Sequence, residues 1–135
     1  MSKQGQRDIR EYHLTSPIFN LATAAMGEMV FPASGYISKI TALVTTDAAV
    51  GDSILTFELN GTTLKSGGSA ASITIDTADN VGRVRTVVTS VDNGDNFVYE
   101  GDEADVQAQV KPSVLEIISD AGGTGNVQLT FTIRP

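Results

Sequence analysis

Val127-Gln128-Leu129-Thr130-Phe131-Thr132-Ile133-Arg134 carries an apolar side chain at every odd position and a polar one at every even position. A period of two is the pleat of a β-strand. Val127, Leu129, Phe131 and Ile133 are expected to face a core, and Gln128, Thr130, Thr132 and Arg134 to face solvent. No helix matches this pattern, because a 3.6-residue period would scatter the four apolar residues around its circumference.

Working back from this stretch, the same texture recurs between turn signals. Leu115 and Ile117 precede the loop Asp120 to Asn126, and Val106, Ala108 and Val110 alternate with Gln107 and Gln109. In Arg83 to Val91, Val84, Thr86 and Val88 fall on one side and Arg83, Arg85 and Val87 on the other. Ile73 and Ile75 oppose Thr74 and Asp76. Ile54 to Leu59 sets Leu55, Phe57 and Leu59 against Thr56 and Glu58, then meets Asn60-Gly61, the dipeptide suited to a type I′ hairpin turn, so Thr62 to Lys65 is expected to return antiparallel. Tyr36 to Thr46 is longer, with Tyr36, Ile40, Ala42 and Val44 on one face and Ile37 and Leu43 on the other, as in a central strand buried in part on both sides.

Composition agrees with a chain of strands. Val, Ile and Thr together supply 38 of 135 residues while Leu supplies 8, a balance that excludes a helical bundle. At 135 residues and 41% apolar content, one core can close without a metal or a disulfide. The predicted fold is all-β: an antiparallel two-sheet β-sandwich of jelly-roll or Greek-key type with an extended N-terminal arm. The arm is placed at 1–28 and the sandwich at 29–135. Lys3, Arg7 and Arg10 concentrate a third of the basic side chains near the start. Asp8 to Leu14 alternates only weakly, so a strand there needs pairing from elsewhere. Pro17 is expected to break the chain before Ile18 to Leu21, and Ala22 to Gly27 to form at most one helical turn.

Several functional classes fall away. A net charge of −7 repels a phosphate backbone, so no nucleic-acid partner is expected. The absence of cysteine removes thiolate metal sites and cysteine nucleophiles. Met1 to Leu14 lacks the apolar stretch of a secretory signal and no run approaches the ~20 apolar residues of a spanning helix, so no membrane partner is expected. His13 reads as a solvated or interface histidine. Gly122-Gly123-Thr124-Gly125 fails as a phosphate loop, since the third glycine of the motif would fall on Gln128.

The acidic segment Asp92, Asp95, Glu100, Asp102, Glu103 and Asp105 does not fit the EF-hand loop. Asp92 and Glu103 sit at positions one and twelve, but Gly94 stands at position three and Phe97 where the glycine of position six is required. A solvated acidic rim is the expectation, with an irregular Ca²⁺ site as the alternative. Glu103 and Asp105 have the spacing of paired carboxylates on one strand face, yet 3 Tyr, 5 Phe and no Trp supply a sugar-stacking platform poorly. Arg83 and Arg85 share a face, where pairing with acidic neighbours is the common use. No catalytic residue, no cofactor site and no metal site is assigned.

The stretches Ser34-Gly35-Tyr36-Ile37-Ser38-Lys39-Ile40, Leu55-Thr56-Phe57-Glu58-Leu59-Asn60-Gly61-Thr62 and Ser72-Ile73-Thr74-Ile75 resemble small auxiliary virion proteins of tailed bacteriophages. So do Gly101-Asp102, the run Val114 to Gly125, and the Thr-rich ending Leu129 to Arg134. The resemblance covers roughly residues 30 to 135. It implies a non-enzymatic capsid decoration, or cement, protein of a tailed-phage head, made in the host cytoplasm and placed on the outer capsid surface of the virion. The implied partners are the major capsid protein and the protein itself as a homo-oligomer, a trimer above all. Lys3, Arg7, Ile9, Arg10, Tyr12, Leu14, Ile18 and Phe19 are the candidate contact residues. The competing reading is a head-fibre, receptor- or glycan-binding β-sandwich module assisted by Ca²⁺.

Overall fold

A computed structural model describes residues 11–31, 35–89, 96–98 and 113–134. These contain strands and turns and no helix. The strands are β1 (Tyr12–Asn20), β2 (Ala25–Phe31), β3 (Gly35–Ala49), β4 (Ser53–Leu59), β5 (Thr62–Thr63), β6 (Lys65–Ser66), β7 (Ser69–Ala70), β8 (Ser72–Ile75), β9 (Val84–Val88), β10 (Phe97–Val98), β11 (Ser113–Ser119) and β12 (Thr124–Arg134). The predicted strand Val106 to Val110 and the segment Asp92, Asp95, Glu100, Asp102, Glu103 and Asp105 lie outside the described residues.

Every pairing is antiparallel. One sheet runs β1-β12-β3, with β9 and β10 both pairing the far side of β3; the other runs β2-β11-β4, with β5 and β8 both pairing the far side of β4. The strands β6 and β7 form a small separate hairpin. The chain therefore alternates between the two sheets from β1 to β4, stays in the second sheet with β5, returns to it with β8 after the β6–β7 hairpin, and crosses again before β9, β11 and β12. That is the order of a jelly roll, in which first and last strands lie side by side and close the sandwich.

The two sheets meet over their alternate residues. Leu55, Phe57, Leu115 and Ile117 from the second sheet face Ile40, Ala42, Val44, Leu129, Phe131 and Ile133 from the first, all of them buried. Phe131 stands at the centre, edge-to-face with Phe31 at 5.8 Å and with Phe57 at 6.2 Å between ring centroids. That geometry sets the positive ring edges against negative ring faces.

Three expectations are corrected. Pro17 does not end a strand: β1 runs through it, because Ser16 and Pro17 form a bulge between the pairs Thr15↔Thr130 and Ile18↔Gln128. Proline has no N–H to give a ladder and is tolerated on the edge strand β1 at such a bulge. The Ser16 hydroxyl accepts the Leu129 N–H at 2.9 Å and the Ser16 carbonyl accepts from Gln128 Nε2 at 2.9 Å, so the strand stays attached.

The second correction concerns the domain boundary. Residues 12–28 belong to the sandwich rather than to an arm, since β1 pairs β12 from Tyr12 onward and β2 pairs β11 from Ala25. A turn closed by Ala22 N–H donating to Asn20 Oδ1 at 2.9 Å replaces the expected helical turn.

The third is the phase of β3. Ile37 lies in the core with Ile40 rather than opposite it, because Ser38 is an extra residue between the pairs Thr132↔Lys39 and Ile133↔Ile37.

Candidate functional site

The outer faces of the two sheets differ in chemistry. On the second sheet, Glu28, Glu116 and Glu58 lie side by side in one cross-strand row. None of the three makes an ion pair among the described residues. Like charges directly opposite one another repel, so this row costs stability and leaves a strongly acidic surface.

The first sheet presents three rows without a carboxylate. Thr15, Thr130, Thr41 and Thr86 register across β1, β12, β3 and β9. Two of their contacts are hydroxyl pairs at 3.3 Å, Thr15 with Thr130 and Thr41 with Thr86. Beside this row stands Ile18-Gln128-Leu43-Val84, and on its other side His13-Thr132-Lys39-Val88. Ile18 is 57% exposed, Leu43 37%, Val84 51% and Val88 66%, which makes the face partly apolar as well as free of carboxylates in these rows. Apolar side chains clustered on one flat face mark an interaction surface more than scattered ones do.

At one end of this face lies a cleft of about 220 Å³ lined by Glu11, Ser38, Lys39, Val88, Thr132 and Arg134. Consecutive strand residues ordinarily point to opposite faces; Ser38 and Lys39 line the same cleft because Ser38 is the bulged residue of β3. Arg134 Nε donates to Glu11 Oε2 at 3.0 Å. That carboxylate first, and then the Tyr36 hydroxyl, push the guanidinium further above its ordinary pKa, so it is a permanent cation. His13 Nδ1 is 3.2 Å from Thr132 Oγ1, and its Nε2 is 3.9 Å from Glu11. This is not a hydroxyl-histidine-acid relay. The acid is too far to orient the ring and already serves Arg134, and Thr132 is almost wholly buried.

The opposite end of the sandwich gathers carboxylates that hold loops. Asp47 accepts Val81 N–H at 2.8 Å, Asp52 accepts Thr77 N–H at 2.8 Å, and Asp120 accepts Ile54 and Gly122 N–H, both at 3.0 Å. The bonds from Ile54 and Gly122 hold the Asp120 carboxyl below the usual range. Arg83 and Arg85 both turn to Asp79 and form no free anion clamp. Among the described residues no group of three or more His, Asp or Glu side chains is placed to hold a metal.

Of the candidate contact residues, Tyr12, Leu14 and Phe19 pack in part against the core and Ile18 stands exposed on the outer face of the first sheet. Lys3, Arg7, Ile9 and Arg10 lie outside the described residues. The sequence reading did not single out Ser38, Lys39, Thr132 and Arg134 as a site. The outward threonines of β12 were the available signal, but their partners on β1, β3 and β9 are set by register. No family model, no curated protein and no solved structure matches the chain.

Proposed function

We propose that this protein is a structural component of a tailed-phage virion that decorates the outer surface of the head without a catalytic role. Its partners in this reading are the major capsid protein and further copies of itself in a homotrimer. The observation that carries it is the contrast between the outer faces: three rows free of carboxylates on the first sheet, against the row Glu28-Glu116-Glu58 on the second. A chain of charge −7 meets a protein surface better through rows free of carboxylates than through the glutamate row, which is left toward solvent. The resemblance to auxiliary head proteins points the same way, and jelly rolls recur in viral shells, which is a likeness of fold alone. A lattice of identical sites retains such a protein even when each copy binds modestly.

The test is imaging of purified virions together with light scattering of the free protein. Regularly spaced copies over the whole head, and a solution mass three times the 14.2 kDa chain, are expected. Copies confined to a single vertex or to the tail overturn decoration in favour of receptor binding.

A further inference from the structure

Two basic residues of this acidic chain, Lys39 and Arg134, meet at one corner of the first sheet. Lys39 and Arg134 line the cleft on the first sheet, and His13 adjoins it through Thr132. Two others, Arg83 and Arg85, are held by Asp79 at the far end of the sandwich. Among the described residues Glu11 is the one carboxylate lining the cleft and is engaged by Arg134, while Lys39 makes no ion pair.

We infer that the cleft formed by Ser38, Lys39, Val88, Thr132 and Arg134 receives a carboxylate side chain from an acidic segment of a partner protein. The inference deepens the attachment reading above and rests on it only for which protein supplies that segment. Lys39 offers its ammonium to the incoming carboxylate. Arg134, with Nε on Glu11, keeps further N–H donors in its fork. The exposed Val88 side chain covers the methylene stem of a glutamate. A protein group fits better than an acidic sugar for two reasons. Among the described residues the cleft wall is the aliphatic Val88 and no aromatic ring lines it. It also opens onto the threonine and aliphatic rows, which extend the contact over a flat surface as a protein partner does.

The experiment is an NMR titration of the ¹⁵N-labelled full chain with a hexaglutamate peptide, a hexaglutamine peptide and glucuronate. Hexaglutamate is expected to shift the amides of Ser38, Lys39, Thr132 and Arg134, to do so less at high salt, and to bind about fivefold more weakly to Lys39→Gln. Lys39 is exposed, so amide shifts remote from the cleft report that the variant is folded. Shifts located elsewhere, or equal binding by Lys39→Gln, overturn the inference. Glucuronate binding as tightly as hexaglutamate overturns it in favour of an acidic sugar. The titration needs no virion. Peptide binding without head occupancy therefore defeats decoration alone, and head occupancy without peptide binding defeats the cleft alone.

Discussion

Arg85 grips Asp79 with two bonds, Nε to Oδ2 at 2.9 Å and Nη2 to Oδ1 at 2.7 Å, and Asp79 Oδ2 also accepts the Asp76 N–H at 2.9 Å. Asp79 is 4% exposed, so its charge is sheltered from water and depends on these partners. The Arg85 fork, opposed by burial and helped by the Asp76 N–H, holds the Asp79 carboxyl below its ordinary value of 3.8. Because the folded pKa is the lower one, the stabilisation is fully present above that ordinary value and is lost as pH falls through the folded one. At pH 7, Asp79→Asn is expected to lower stability by roughly 2 kcal/mol. Urea unfolding at pH 7 and at successively lower pH checks this: the gap between the two proteins should narrow as pH falls below 3.8, and a gap independent of pH would refute it.

Ser16→Ala removes the acceptor of the Leu129 N–H at the β1 bulge while keeping the backbone geometry. An unsatisfied N–H in a buried strand costs about 1–3 kcal/mol. The urea midpoint should fall accordingly, and the Leu129 amide should exchange with solvent faster than its neighbours in β12. An unaltered midpoint would mean that the bulge is held by Gln128 alone.

Phe131 is the shared member of the two edge-to-face pairs. Phe131→Ala is expected to cost about 3–5 kcal/mol, a large part of the stability of a domain this size. Calorimetry should show a melting temperature well below that of the parent. A drop no larger than that of an exposed substitution such as Val50→Ala would contradict the core assignment.

Gly123 lies against the backbone of the β3–β4 connection, where an added Cβ would meet the carbonyl oxygen of Gly51 and lie 2.9 Å from that of Ala49. Backbone cannot rotate away as a side chain does, so Gly123→Ala is expected to destabilise by about 1–3 kcal/mol. Gly61→Ala is the contrast: a Cβ there meets nothing within 4 Å, and only its φ of +86° resists. Thermal melts of the two variants should separate steric clash from backbone strain.

The alternation of Val127 to Ile133 determined that the chain ends in a strand and which side chains it buries; all four odd-numbered residues are in the core. Asn60-Gly61 likewise determined a hairpin from local chemistry, with φ of 52° and 86° at the two residues and Thr63 returning opposite Glu58. Both signals reside in a few consecutive residues, where the pleat and the left-handed backbone of Asn and Gly decide the outcome.

The bulges at Ser16 and Ser38 are different in kind. A bulge is a mismatch between two strands, and β1 and β12 are separated by a hundred residues of chain, so nothing near Pro17 in sequence reports that Leu129 lies opposite. Asp8 to Leu14 alternates only weakly, and its described end joins the strand Tyr12–Asn20 because β12 pairs with it. The site follows the same logic. Threonines 15, 41, 86 and 130 are scattered in sequence and become one row through three registers, and Ser38 meets Lys39 in a cleft because tertiary pairing with β12 leaves one residue over.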